Sequence, residues 1–409
     1  MEYSLTKATV VLNSTHVIHQ PITVRGNRIA AIGKVEGIPI DLENECIVYP
    51  ALINIHDHLR GDYLPRVGPP EGSYYLNWSE WDKDLKTSTV FQERARISLE
   101  DSYLLGAYKN LFSGVCTVND HFPHEFNEPF LDKLPIRVIR EYTLAHECSS
   151  FDLKWGDGIR IEHRRALKRG HPFITHLEEG FDAESQRGVE VLIEAGSLDD
   201  HAVLIHCIGF SDEDIRRVKR AGAHVVWCPA SNMFMFNVTC KIRKILREGV
   251  NVSIGTDSTH TGSINLLEEL RYARTLYRTL YGEDLPARTL FEMVTQNPAR
   301  ALRMADVIGT LEIGKWADIL VVKQRDEDPF ETLLKLNLED IELLVLAGIP
   351  ILASDRFVAL FQKKEKDYTS ITMHGHRRKV IGDPNSLLRR VRKQVGFQKV
   401  LEYMPLQVS

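Results

Sequence analysis

Four short apolar runs in this sequence each end in a histidine or an aspartate. Tyr49-Pro-Ala-Leu-Ile-Asn-Ile55 leads into His56-Asp57-His58, Pro172-Phe-Ile-Thr175 into His176, Ala202-Val-Leu-Ile205 into His206, and Asn251-Val-Ser-Ile-Gly-Thr256 into Asp257. Residues i and i+2 of a strand point the same way, so His56 and His58 can aim two imidazoles at one ion. His176 and Asp257 complete a mixed nitrogen and oxygen set suited to a divalent metal, zinc first, with Fe2+ or Mn2+ as alternatives. With one position open to water, such a metal lowers the water pKa to about 7 and supplies hydroxide at neutral pH. Glu179 follows His176 by three residues, and Gly180 permits a turn that folds its carboxylate back as a proton shuttle; Glu178 is its competitor. His206 can polarise the bond under attack, and Asp257 can double as ligand and proton acceptor. A lone His-x-His or a lone Thr-Asp is usually unremarkable, the latter a turn or helix cap. All four at strand ends point to a metal site.

Such groups converge only if the runs are parallel strands whose C-terminal ends share one face, as in a (β/α)8 TIM-type barrel. The runs Ile47–Ile55, Val115–Asn119, Arg137–Leu144, Phe173–Thr175, Val203–Ile205, His224–Trp227 and Val250–Ile254 alternate with helical stretches. These are Phe91–Asn110, Glu184–Ala195, Asp212–Ala221, Ile242–Glu248, Leu266–Leu280 and Ala287–Met304. Alternation of this kind marks βαβ units. An α/β barrel is therefore expected over 48–305. Both chain ends read instead as short strands with tight turns, giving a small composite β-sandwich from 1–47 and 306–362. The remainder, 363–409, reads as a basic C-terminal helical extension, with a helix at Asn385–Val395.

A net charge of −5, with 43% hydrophobic and 26% charged residues, is ordinary for a globular protein and gives no footprint for nucleic acid or anionic membrane. Small molecules are the expected partners, and a homo-oligomer is left open. Six scattered cysteines without a Cys-x-x-Cys pair read as reduced thiols, pointing to the cytoplasm. No secretory signal and no membrane span is expected.

The sequence closely resembles the amidohydrolase superfamily over about residues 5–355. Pro50-Ala-Leu-Ile-Asn-Ile-His56-Asp-His58 matches its first metal motif, with Ala51 in place of the usual glycine. Thr295-Gln-Asn-Pro-Ala-Arg-Ala-Leu302 and Gly309–Asp318 match its closing signature. Within it, His176-Leu-Glu-Glu179, His206-Cys207, Cys228-Pro-Ala-Ser-Asn232 and Gly255-Thr-Asp257 resemble the mononuclear deaminase and chlorohydrolase branch, which includes cytosine and S-adenosylhomocysteine deaminases. That resemblance implies one metal on His56, His58, His176 and Asp257, with proton transfer and polarisation at Glu179 and His206. No lysine is placed for the bridge of two-metal relatives.

The resemblance implies hydrolytic deamination of an amino-substituted N-heterocycle, the alternatives being cyclic amide hydrolysis or removal of a halide. Two departures bear on this. The interval between His146 and Thr175 is too short for an ordinary βαβ unit, so an irregularity is expected around the fourth strand. Arg60 follows the His-x-His motif almost at once, as in the dihydroorotase and hydantoinase branch, where an arginine grips a substrate carboxylate. Otherwise Arg60 pairs with Asp62 or another local acid. Further substrate contacts are expected from His121 and from Trp78 in an aromatic-rich loop, where stacking or a lid competes with plain rim packing. His146, Glu147 and His260 are weaker candidates.

Overall fold

Eight parallel strands occupy the middle of the chain in the computed structural model, which describes residues 1–361 and 368–406. They are β1 (Leu52–Asp57), β2 (Val115–Asp120), β3 (Arg137–Val138), β4 (Thr143–Glu147), β5 (Phe173–Leu177), β6 (Ala202–His206), β7 (His224–Trp227) and β8 (Asn251–Ile254). One parallel sheet runs β3-β2-β1 and another runs β4-β5-β6-β7-β8. Past the end of β8 the Asp257 amide donates to the carbonyl of His56 at 3.1 Å, joining the two sheets beside the site. Nearly every strand residue is buried, as expected where helices cover a parallel sheet.

Two expected runs are divided. Ile47–Ile55 is broken at Ala51: Cys46–Pro50 pairs antiparallel with Ile319–Lys323 in a terminal sheet, and Leu52 begins β1. Arg137–Leu144 is broken between β3 and β4, with no helix between them. The irregularity expected around the fourth strand thus lies at its start and within it, where the register shifts between Leu144 and Glu147. A helix, Ile159–Arg169, does connect β4 to β5. At the break, side chains replace the ladder: His124 Nε2 bonds the Tyr142 carbonyl at 3.0 Å, and Asn127 donates to the Tyr142 hydroxyl at 3.1 Å.

Two expected helices are also divided. Phe91–Asn110 becomes Thr89–Arg94 and Leu99–Phe112, and Ser98 caps the second by accepting from the Asp101 amide. Ala287–Met304 becomes Ala287–Met293 and Gln296–Ala301. Trp78 and Trp81, expected in a loop, begin a helix, Trp78–Thr87, whose N-cap Asn77 accepts from the Ser79 amide.

The chain ends form two further sheets. An eight-stranded sheet combines Thr9–Asn13, His16–Ile18 and Cys46–Pro50 with five strands from beyond residue 318. A four-stranded sheet comes from residues 2–41. Tyr3, Leu5, Val24, Val48, Val321, Leu343 and Phe357 belong to one buried cluster between them. All six cysteines are buried and unpaired. Among the described residues no helix is long and apolar enough to cross a membrane.

The segment read as a helical extension carries its helix, Pro384–Val395, but also a hairpin, Tyr368–Met373 with His376–Ile381, added to the eight-stranded sheet. Residues 362–367 and 407–409 of the terminal region lie outside the described residues. The basic side chains are partly engaged, since Arg390 donates to Asp101 at 2.6 Å and Arg378 to the Glu339 carbonyl at 2.7 Å. Beyond the helix, the buried Tyr403 hydroxyl donates to the Asp62 carbonyl at 2.6 Å, just past the His-x-His motif. Tyr403→Phe leaves that carbonyl unsatisfied, so it is expected to cost about 1–3 kcal/mol in chemical denaturation. A variant as stable as the parent would show that the tail is not anchored there.

Candidate metal centre and cavity

His56, His58, His121 and His176 each place one ring nitrogen within 4.8 Å of the others. The rings crowd together, with centroids 4.8 Å apart for His56 and His58, 5.2 Å for His56 and His176, and 4.5 Å for His121 and His176. Burial, then the neighbouring imidazoles, hold His56, His121 and His176 well below the ordinary histidine pKa, so they stand neutral with lone pairs available. The His176 Nδ1 faces the His146 carbonyl at 2.8 Å, which can only accept. Its proton is therefore on Nδ1 and its Nε2 is bare.

Asp257 approaches from the end of β8. Its Oδ1 lies 3.8 Å from His56 Nε2 and 3.7 Å from His58 Nε2. Its Oδ2 accepts from the hydroxyls of Ser231 at 2.7 Å and Thr261 at 3.1 Å, which fixes the carboxylate plane. Burial opposes ionisation of Asp257, but His58, His206 and the Ser231 hydrogen bond outweigh it and hold the carboxyl below its usual range. Gly255 makes the approach possible, because a Cβ there would stand 2.6 Å from the Cβ of His56.

A divalent cation fits this set. Both ring nitrogens of His56 are buried without a hydrogen-bond partner. Each such orphan costs about 1–3 kcal/mol unless something else satisfies it. Imidazoles held toward the neutral form beside a carboxylate are a donor set suited to a divalent metal ion.

Glu179 turns toward the centre, though not through Gly180. The backbone of Glu178 takes the left-handed conformation instead (φ 53°), as do His206 (φ 70°), Cys207 (φ 54°) and Asp257 (φ 57°). For residues with a Cβ this costs roughly 1–2 kcal/mol each, and such strain gathers at functional strand ends. It is held by backbone bonds such as Ile208 N to Glu178 O at 3.1 Å. Glu179 Oε1 then lies 3.5 Å from His206 Nε2. His206 Nδ1 donates to Asn232 Oδ1 at 2.8 Å, and the Asn232 amide in turn donates to Thr239 at 3.1 Å. That chain leaves Nε2 bare toward the Glu179 carboxyl. Burial, then Asp257 and Glu147, push the Glu179 carboxyl well above its usual range. Glu178, the competitor, is committed to the Val189 amide at 3.1 Å.

A cavity of about 240 Å³ opens over these groups, walled by Trp78, Trp81, Phe122, Trp155 and Met235 and reaching His58, His176, Glu179, His206 and Asp257. Arg60 and Trp78 line it, as do His146 and His260. The Trp78 indole donates to Glu147 at 2.6 Å, and burial pushes Glu147 up to about 7. His121 is not in the wall: expected as a substrate contact, it stands buried among the imidazoles because β2 ends one residue before it. Arg60 does not pair with Asp62. Its guanidinium lies 4.4 Å from the Phe122 ring centre, and Asp62 is taken by Lys109 at 2.7 Å.

Lys109 escaped the sequence reading. It is fully buried, bonding Asp57 at 2.9 Å and Asp62 at 2.7 Å, and so ties the residue between His56 and His58 to the following turn. Burial opposes its charge, but the two carboxylates outweigh it and hold the ammonium charged. Its signal was a lysine inside the apolar stretch Leu104-Leu-Gly-Ala-Tyr-Lys-Asn-Leu-Phe112. Arg94, Leu153 and Trp155, which also line the cavity, carried no signal.

The chain matches the model of the amidohydrolase family over residues 168–361. It is 33% identical over 356 residues to a 5-methylthioadenosine/S-adenosylhomocysteine deaminase of Thermoanaerobacter pseudethanolicus, covering 74% of this chain and 80% of that protein. It is 28% identical to the protein of the same name from Syntrophobacter fumaroxidans, over 74% of this chain and 80% of that one. In fold it is similar to a zinc-bound adenosine deaminase from Xanthomonas campestris, with a TM-score of 0.72, 18% identity, and coverage of 96% of this chain and 97% of that one.

Two measurements follow from the geometry. Metal analysis of the purified protein is expected to find one divalent ion per chain, sharply reduced in Asp257→Asn and largely kept in His121→Asn; the opposite pattern would make His121 the fourth ligand. Lys109→Met strands two buried carboxylates and is expected to cost about 3–5 kcal/mol of stability. A change below about 1 kcal/mol would remove the network's structural role.

Proposed function

The chain belongs to the amidohydrolase family, and from that premise we propose that it is a metal-dependent hydrolytic deaminase acting on an amino-substituted N-heterocycle of the adenosine type. We assign one zinc ion to His56, His58, His176 and Asp257, with Fe2+ or Mn2+ as the alternatives for a nitrogen and oxygen set. The single observation that carries the reading is Glu179 Oε1 at 3.5 Å from the bare Nε2 of His206, on the rim of the imidazole cluster and inside the cavity.

A divalent cation held by these residues would lower the pKa of a water molecule and so supply the nucleophile at neutral pH. The residues handle the protons. Glu179 accepts one from the attacking water and delivers it to the ring nitrogen next to the amino-bearing carbon. Asp257 accepts the second, which passes to the departing amine so that it leaves as ammonia. In the reactive state the Glu179 proton rests on His206 Nε2, 3.5 Å away, so that Glu179 is free to accept from water and His206, held by Asn232, steadies the charge that develops on the reacting oxygen. Trp78 and the aromatic wall exclude water and face the flat heterocycle, and Arg60 contacts the substrate beyond it.

The eight parallel strands are read as one barrel over 48–305, supported by the Asp257 to His56 backbone bond between β8 and β1. The residues 1–47 and 306–362 are read as the flanking β-domain, supported by the core that their described residues share. A cytoplasmic address is proposed on the six buried, unpaired thiols.

Metal-loaded protein assayed with adenosine-type nucleosides, aminopurines, pyrimidines and pterins is expected to release ammonia, and to stop when the metal is removed by a chelator. Glu179→Gln is expected to lower kcat by roughly 10²–10⁴-fold with the metal retained. Ring opening of carboxylate-bearing cyclic amides without any ammonia release would replace deamination by cyclic amide hydrolysis, and full activity in Glu179→Gln would remove the proton shuttle.

A further inference from the structure

One buried carboxylate takes no part in the chemistry above. Glu269 lies in the helix Leu266–Tyr281 and is fully buried. Its Oε1 accepts from the Ala230 amide at 2.9 Å and its Oε2 from the Ser263 amide at 3.2 Å. Burial pushes the carboxyl up to about 7, and the Ala230 and Ser263 hydrogen bonds, then Arg66, work against that shift.

Both amides belong to segments that hold the centre. Ala230 lies in the first turn of the helix Pro229–Phe236, where Pro229 has no N–H and the N-cap Cys228 makes no side-chain capping bond. Glu269 therefore satisfies the first free amide of that helix, at the end where a carboxylate is favoured. The next two residues are Ser231, which donates to Asp257 Oδ2 at 2.7 Å, and Asn232, which accepts from His206 Nδ1 at 2.8 Å. On the other side, Thr261 donates to the same Asp257 oxygen at 3.1 Å. The Gly262–Ser263 peptide that follows is gripped at both ends. Arg66 donates to its carbonyl at 2.6 Å, and its amide reaches Glu269.

We propose that Glu269 is a positioning residue: by bridging Ala230 and Ser263 it sets the spacing of the two segments, and so fixes both hydroxyls on Asp257 and the side-chain amide on His206. This rests on the metal and deaminase reading for what Asp257 and His206 do. Only a carboxylate brings two accepting oxygens to two amides; glutamine would meet one of them with its own N–H groups.

The test measures Co2+ binding to the metal-depleted full chain by competition with a chromophoric chelator. Glu269→Gln is expected to weaken Co2+ binding about tenfold. In a Ser231→Ala, Thr261→Val background, where both hydroxyls on Asp257 are gone, the same substitution is expected to change affinity by less than about twofold. Parent affinity in Glu269→Gln, or an undiminished loss in that background, overturns the proposal, because a merely structural Glu269 gives one or the other. A parent that binds no Co2+ overturns the metal assignment and this role with it. On loaded protein, Glu269→Gln is expected to lower kcat for adenosine about tenfold with KM moved less than about threefold. A kcat at the parent level also overturns the proposal. If the loaded parent deaminates nothing but the Co2+ affinities behave as described, the deaminase reading fails and the positioning role stands. Should Glu269→Gln not fold by circular dichroism, Glu269→Asp, too short to span both amides, is read against the same outcomes.

Discussion

Everything in this molecule is arranged around a group of imidazoles that burial holds toward their neutral form. Water would solvate His56, His58, His121 and His176, and a proton would charge them. Burial removes both options, and the chain offers few donors or acceptors in exchange. A cation that completes the set would relieve that cost, because an unpaired polar group in a medium of low dielectric loses most of a hydrogen bond's worth. The left-handed turns at Glu178, His206 and Asp257, and the bare backbone at Gly255, are the local strains that bring the donors into one place.

Beneath that layer lies a second one made of charges. Lys109 sits between Asp57 and Asp62 and so grips the motif from below, between its two histidines. The tail reaches the same turn from the other side through Tyr403. Gly106 lets the helix carrying Lys109 come this close, since a Cβ there would stand 2.5 Å from the Leu59 carbonyl. The imidazoles are thus held both by the strands they follow and by a helix and a tail distant in sequence. Precision of this kind matters because a misplaced group costs far more in the transition state than in the folded state.

The cavity above is electrically lopsided. At its floor are imidazoles and the Glu179 carboxyl, whose pKa values burial moves toward the neutral form, and the Asp257 carboxylate, held below its usual range by its neighbours. Along its wall are two guanidinium groups resting on phenyl rings.

The sequence by itself determined the parallel strands and the residues placed at their ends. Those features are written in local pattern: apolar runs of strand length, each followed by a polar group, recur at spacings that only βαβ units satisfy. The breaks at Ala51 and between β3 and β4 were not legible, because a continuous apolar run does not record which neighbour each half will pair with. Nor was the turn at Glu178, since glycine is the usual place for a left-handed residue and Gly180 stood close by. Tertiary structure alone decided that His121 joins the imidazoles, that Asp62 belongs to Lys109, and that Arg60 therefore faces the cavity beside Arg94. Each of those outcomes is a competition between partners remote in sequence, settled by distance and burial, and neither quantity exists until the chain has folded.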